Sequence, residues 1–258
     1  MKRFLSVVAL GLTFAGAAVA ADDKKVTIRW HGQSFFEIRT NAGTRIVIDP
    51  HAIEEFGRVK DLTADLVICS HRHSDHTRLD VIKDGTDDKK VEKIYGVDGD
   101  QVGKQKWVEI KEKKFKDVTI TTVGTYHDEM QGLKRGLNAV IILEFDDLRV
   151  VHLGDLGHTL SDGQLKRIGK VDVLMIPVGG IYTLNGFDAK DVVEQLKPTR
   201  YILPMHYGTP NYNVLLTAEE FLEGQKNVEK SKSNELVIDP SSKPEKQPVI
   251  KVLNWAEK

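Results

Sequence analysis

The chain is 258 residues long, 40% hydrophobic and 29% charged, with 37 Lys and Arg against 38 Asp and Glu. That length supports a substantial core, and the near balance of charge excludes both a disordered polyelectrolyte and a polybasic nucleic-acid binder. A single cysteine, Cys69, excludes an intrachain disulfide framework, a Cys₄ zinc module and a CxxC redox pair, which leaves any chemistry to His, Asp and Glu.

Lys2 and Arg3 precede an apolar run over residues 4–20 that ends Ala18-Val19-Ala20, before the charged Asp22-Asp23-Lys24-Lys25. A basic start, an apolar middle and a small-residue end describe a secretory signal peptide over residues 1–20, cut after Ala20. An uncleaved membrane anchor is the alternative. Residues 21–258 then form one domain, expected in the periplasm of a bacterium or secreted from it, with no stable membrane insertion. Removing Lys2 and Arg3 leaves 35 basic against 38 acidic groups in it.

Val26–Trp30 and residues 35–39 read as strands around a turn at Gly32, and Arg45–Ile48 as a third, stopped by Asp49-Pro50. Residues 65–69 open on Asp65 and continue as an unbroken apolar run over Leu66–Cys69, as a strand covered on both faces requires. A helix is expected after His76, containing Val81 and Ile82 and capped by Ser74 or Asp75. Lysine-rich stretches over residues 89–116 alternate with apolar positions and read as solvent-facing strands. Residues 118–123, 139–145 and 148–153 are further strands, the last two joined at Asp146-Asp147. A buried strand over 171–177, a helix over 189–196 ended by Pro198, and a strand over 200–204 follow. A helix over 218–230 and short strands at 236–238 and 249–253 complete the chain. A four-layer αββα sandwich of two mixed sheets flanked by helices uses these elements economically, with a doubly wound sheet as the alternative.

The histidines carry the chemistry. Three of the nine fall in Ser70-His71-Arg72-His73-Ser74-Asp75-His76, directly after the apolar strand. Neutral imidazole and ionised carboxylate are ligands that borderline divalent ions prefer, and His71 and His73 can face one ion while Asp75 and His76 face another. Three more ligand-type residues end predicted strands: His127 after Tyr126, Asp155 after Gly154, and His206 after Met205. Each alone is weak. Together they make five His and two Asp, enough for two ions sharing one carboxylate.

The pattern HxHxDH from His71 to His76, then His127, Gly154-Asp155 and His206, resembles the metallo-β-lactamase-fold hydrolases. Trp30-His31-Gly32-Gln33-Ser34-Phe35, Ile48-Asp49-Pro50 and Pro177-Val178-Gly179-Gly180 make it most similar to the metal-dependent hydrolases related to L-ascorbate-6-phosphate lactonase. The resemblance implies one metal on His71, His73 and His127 and a second on Asp75, His76 and His206, with Asp155 bridging. It implies Asp49 as a supporting residue behind the ligands. The expected cofactors are two divalent ions, Zn²⁺ with Mn²⁺ or Fe²⁺ as alternatives.

Two ions at such spacing acidify a shared water to a pKa of about 7, so the expected function is that of a metal-dependent hydrolase. A metal-bridged hydroxide would attack a lactone, ester or phosphoester, with Asp75 orienting the nucleophile. The net positive charge favours a small, anionic substrate, and no nucleic-acid partner is expected. A β-lactamase-type amide hydrolase and a non-catalytic metal-binding scaffold are the alternatives. His158 and Tyr182 are the candidate substrate contacts, His31 and His51 are candidates near the site, and His152 reads as structural. Arg72 either meets an anionic group or faces solvent, and Gln33 stands where related chains often carry His.

Overall fold

The computed structural model describes residues 25–57 and 59–255, so the signal-peptide expectation for residues 1–20 lies outside the described residues. In chain order the first strands are β1 (Val26–Trp30), β2 (Phe36–Arg39), β3 (Arg45–Ile48), β4 (Leu66–Cys69) and β5 (Glu92–Tyr95). A two-stranded ribbon of β6 (Val97–Asp98) and β7 (Lys106–Trp107) precedes β8 (Lys113–Phe115). Then come β9 (Val118–Tyr126), β10 (Leu137–Phe145), β11 (Leu148–His152), α1 (Asp162–Ile168), β12 (Val173–Pro177), α2 (Gly186–Leu196) and β13 (Tyr201–Met205). The last elements are α3 (Glu219–Leu222), β14 (Val228–Lys230), β15 (Glu235–Ile238) and β16 (Val249–Val252).

Two mixed sheets result, with strand orders β15-β1-β2-β3-β4-β5 and β14-β16-β13-β12-β11-β10-β9-β8. Period-2 alternation assigns the faces. Ile46, Ile48, Leu66 and Ile68 join Ile120 and Ile141 in the main core, while Val47, Val67 and Cys69 point the other way into a second cluster with Phe35, Val81 and Ile82. Burial of both faces explains why β4 has no polar alternation. The two-layer sheet core with outer helices is the expected αββα arrangement, but the helical layers are thin. Three-residue 3₁₀ turns, Glu54–Phe56 and Leu79–Val81, lie among the segments that cover the second cluster.

Four local expectations need correction. The segment directly after His76 forms a 3₁₀ turn and no α-helix. The Leu79–Val81 turn has no side-chain cap, and its neighbours' backbone groups go elsewhere: Arg78 N donates to Pro50 O, and Leu62 N to Val81 O. The helix expected over 218–230 is only α3. Gly224, at φ +77°, follows it, and the next residues pair with β16 as a parallel edge strand. Helix α1 was not anticipated, although its start is legible as a capping box in which Ser161 accepts from Gln164 N and the Gln164 side chain returns to Ser161 N. Strands β9 and β10 extend to nine residues each, because their full-length antiparallel pairing continues to Leu137↔Tyr126 at the site end.

Strand direction places the chemistry. β3 and β4 are parallel neighbours, with Ile48 opposite Ile68, so Asp49 and Ser70 leave the sheet side by side. In the second sheet, β11, β12 and β13 run parallel, and β9 shares their direction through the antiparallel β10. The C-terminal ends of β9, β11 and β13 therefore meet at one edge, carrying His127, Asp155 and His206. The Asp146-Asp147 hairpin between β10 and β11 has positive φ at both residues, the type I′ geometry whose twist matches the strands it joins.

Candidate metal centre

All seven predicted ligands come together. Asp155 Oδ2 lies 3.2 Å from His76 Nε2, 3.2 Å from His127 Nε2, 3.1 Å from His206 Nε2 and 4.0 Å from His71 Nε2. His71 Nε2 and His73 Nδ1 are 3.0 Å apart, and His76 Nε2 is 3.6 Å from Asp75 Oδ2. Three sets have donor atoms within 4.8 Å of one another: His71, His73 and His127; His71, His76 and Asp155; Asp75, His76 and His206.

The donor set fits divalent ions. His71, His76, His127, Asp155 and His206 are buried, where ring nitrogens and carboxylates need partners. Yet both nitrogens of His76 lack a well-aligned hydrogen bond despite their short distances to carboxylate oxygens. Donor atoms that crowd together without hydrogen-bond alignment are what ligands aimed at a shared ion show. The electrostatics agree. Burial works against a charged His76, but Asp155, Asp75 and Asp49 overcome it and hold its pKa well above the ordinary histidine value. Burial likewise disfavours ionised Asp155, but His206 and His76 hold its carboxyl well below the usual range. Three carboxylates thus demand positive charge at one point, and a cation meets that demand as protons would. His71, by contrast, is driven well down by burial and by His76, so it is neutral with a lone pair to offer.

Residues behind the ligands choose the tautomers. Asp49, fully buried, accepts from Ser70 N and from Ser70 Oγ, both at 2.6 Å. With its proton committed to Asp49, Ser70 Oγ accepts from His71 Nδ1 at 2.9 Å, which leaves His71 Nε2 unprotonated toward the centre. His76 Nδ1 lies 3.0 Å from Asp49 Oδ2 without hydrogen-bond alignment, a charge contact that places an anion behind this ring.

Ser34, Asn138 and Tyr212 have no assigned role in the sequence reading, and Gln33, where related chains often carry His, proves to bond a ligand. Ser34 Oγ donates to Asp155 Oδ1 at 3.1 Å, and Gln33 Nε2 donates to Asp75 Oδ2 at 3.3 Å. Gln33 O also accepts from His206 N, so one turn after β1 braces three ligands. Asn138, buried in β10, accepts from Asp155 N and donates to Leu153 O, fixing the turn between them. Gly154 in that turn has φ +57°, and a Cβ there would collide with Asn138 Oδ1 and Ser70 Cβ. A signal for Asn138 existed: a polar amide inside an otherwise apolar strand has to bond something. Tyr212 lies on the loop after His206. Burial and the nearby Asp75, Glu55, Tyr182 and Asp155 raise its phenol above the ordinary pKa.

The remaining candidates sort by their partners. His158 gives both ring nitrogens to backbone, accepting from Tyr126 N at 3.1 Å and bonding Thr159 O at 2.6 Å. Those bonds leave neither nitrogen for a substrate. Tyr182 is 48% exposed, beneath the Arg135 guanidinium at 5.4 Å. His152 bonds Ser34 O and Gly154 N with its two nitrogens, as a structural histidine does. His51 bonds the carbonyls of His31 and Gly32 and accepts from Ile53 N, and His31 faces Glu37. Arg72 stacks 3.7 Å over Tyr95, near Asp98 and Asp100.

Comparison with known proteins gives a family context. The model of the family described as "Beta-lactamase superfamily domain" matches residues 27–206. A UPF0173 protein of Pyrococcus abyssi is 33% identical over 187 residues, covering 70% of this chain and 83% of that protein. A UPF0173 metal-dependent hydrolase of Thermococcus onnurineus is 28% identical over 195 residues, covering 71% and 85%. A solved structure from Thermotoga maritima, assigned as a Zn-dependent hydrolase of the metallo-beta-lactamase superfamily, superposes with a TM-score of 0.64 at 30% identity. It covers 89% of this chain and 100% of that one. A diiron β-hydroxylase from Streptomyces venezuelae shares the fold alone, at 14% identity and a TM-score of 0.53, over 72% of this chain and 46% of that one.

Proposed function

Since this chain belongs to the beta-lactamase superfamily and is a metal-dependent hydrolase, we propose that it holds two divalent ions and hydrolyses a small lactone, ester or phosphoester. His71, His73 and His127 would hold one ion, and Asp75, His76 and His206 the other, with Asp155 shared. The observation that carries this is the position of Asp155 Oδ2, between the Nε2 atoms of His76, His127 and His206 at 3.1–3.2 Å. A carboxylate encircled by imidazoles suits a bridge, because its charge offsets the repulsion of two cations.

Ions held by these residues would supply Lewis acidity and would acidify water at the site. The protein's own groups do the rest. Asp75 has a 36% exposed side chain, so it faces the opening while Gln33 fixes its orientation. Burial acts to raise its pKa, but His76 and His206 outweigh this and Asp155, leaving it below the ordinary carboxylate value. Ionised Asp75 accepts the proton of the attacking water and returns one to the leaving oxygen. Asp49 and Ser70 keep the proton of His71 on Nδ1. Two divalent cations against Asp75 and Asp155 leave positive excess, which favours an anionic substrate or a developing oxyanion. Zn²⁺ suits the five imidazoles, with Mn²⁺ or Fe²⁺ as alternatives.

Metal analysis of the purified protein, with a panel of lactones, esters and phosphodiesters, tests the reading. Turnover that follows two bound ions and is lost in the His71→Ala/His73→Ala protein is expected. Bound metal without turnover of any panel member would support the scaffold alternative. We assign the leader over residues 1–20 to export of the mature domain, and N-terminal sequencing of protein from a periplasmic fraction checks it. An intact Met1 in cytoplasmic protein refutes that assignment.

A further inference from the structure

The loops that leave the metal-centre end of the second sheet hold apolar side chains out to solvent. Among the described residues ten large hydrophobic side chains are exposed, and six of them lie on three loops at the ends of site strands. Met130 (45%) and Leu133 (73%) follow His127, Ile181 (52%) and Tyr182 (48%) follow β12, and Val214 (51%) and Leu216 (50%) follow His206. Scattered exposed apolar residues need no explanation, but six of ten gathered on neighbouring loops beside the proposed centre point to a binding surface.

These loops form one surface. Arg135 Nη2 donates to Ile181 O at 3.0 Å, Leu216 N donates to Gly179 O at 2.9 Å, and Gly208 N donates to Leu216 O at 2.8 Å. Gly179 N in turn donates to His206 O at 3.1 Å, which ties the rim to a candidate ligand. The first loop is stiff. The Asp128 carboxylate accepts from the backbone of Met130, Gly132, Lys134 and Arg135 at 2.7–3.0 Å, so Met130 and Leu133 are fixed in their exposed positions. Formal charge on it balances, with Lys134 and Arg135 against Asp128 and Glu129, and Lys134 pairs with Glu129 at 2.5 Å. A near-neutral, preformed apolar rim continuous with the hydrolytic centre fits an uncharged hydrocarbon chain. An anionic membrane would instead call for free lysines.

We infer that the natural substrate is an amphiphile, whose hydrolysable ester, lactone or phosphoester group sits at the metal centre while an alkyl or acyl chain of several carbons lies on this rim. This rests on the hydrolase reading above and narrows its substrate class. For an ester or lactone, the water oxygen forms the new bond to the acyl carbon and the acyl C–O bond breaks. One proton of the water goes to the departing alcohol oxygen, and the acid formed releases the other to solvent.

The test is a homologous series of p-nitrophenyl esters, acetate to decanoate, with a matched series of alkyl p-nitrophenyl phosphates, on the metal-loaded protein. Burial of each added methylene is expected to raise kcat/KM by up to about fourfold until the chain outruns the rim. In Leu133→Ser/Ile181→Ser the octanoate-to-acetate ratio of kcat/KM should fall toward one. Val237→Ser, an exposed apolar site on β15, should keep the parent ratio. Metal-dependent turnover with no dependence on chain length overturns this inference and leaves the hydrolase reading standing. No turnover of any member overturns both. A flat series together with self-association that Leu133→Ser/Ile181→Ser abolishes assigns the rim to a second copy of the chain, and overturns the inference as well.

Discussion

Replacing Asp49 by Asn tests whether tautomer control behind the ligands sets metal affinity. Asp49 sits at φ +48°, a conformation Asn adopts as readily, so the backbone does not confound the result. The amide oxygen can still accept from Ser70 N, but the NH₂ group must then face Ser70 Oγ and His76 Nδ1. Ser70 Oγ now accepts from the amide and turns its own hydrogen toward His71 Nδ1. The proton of His71 is thereby driven to Nε2, against the metal position. His76 loses the carboxylate that lies 3.0 Å from its Nδ1 and faces a donor instead. His71 would thus have to change tautomer before binding, and His76 would lose the anion behind its ring. Losses behind a metal shell weaken affinity by about 10- to 100-fold, or about 1.4–2.8 kcal/mol. Chelator-competition titration with Zn²⁺ or Mn²⁺ measures this, and Ser70→Ala, which interrupts only the path to His71, should lie between the parent and Asp49→Asn. Parent-like affinity in Asp49→Asn would show that the ligands hold their tautomers without it, and the argument fails.

Further outcomes are open to measurement. His51 is buried with both nitrogens bonded, and burial chiefly lowers its pKa to about 4. The neutral form is therefore required in the fold: above pH 6.5 neither state is protonated and His51 contributes no pH dependence. As pH falls from 6.5 to 4 the unfolded chain takes up the proton first, and metal-free stability drops by up to about 3 kcal/mol. Urea titrations of the parent and His51→Gln across that window should show a shallower decline in the variant, and equal slopes would exclude His51 as a source. Gly154→Ala forces a Cβ into Asn138 and Ser70 at positive φ, so metal capacity by elemental analysis should fall, with Tm lowered. Chelation should remove hydrolysis and lower Tm, because ions present at about 1,000 times their Kd add about 4 kcal/mol to stability. A Tm indifferent to chelator would mean that the ions do not bind this folded site.

Much was legible in the order of residues. The strand over 65–69 was readable because its unbroken apolar run, Leu66–Cys69, can be satisfied only by burial on both faces. HxHxDH after it was readable because three imidazoles and a carboxylate within six residues have no use in a core. Local chemistry likewise marked the Asp146-Asp147 turn and the strands it joins. Where local preference competed with distant partners, the reading failed. The segment after His76 has helical spacing, but its backbone bonds Pro50 and Leu62 instead. The stretch around Val228 has the composition of a helix end, yet pairs with a strand more than twenty residues later.

Residue types and spacing determined which side chains could bind metal and that they follow strands. Tertiary structure alone decided what each then touches: that Gln33 reaches Asp75 and Ser34 reaches Asp155, that His158 turns its nitrogens to backbone, and that three loops present one apolar rim. The physical reason is range. Propensity and periodicity act over a few residues, whereas Ser34 and Asp155 lie 121 positions apart and meet only because strands from two sheets end at a common edge.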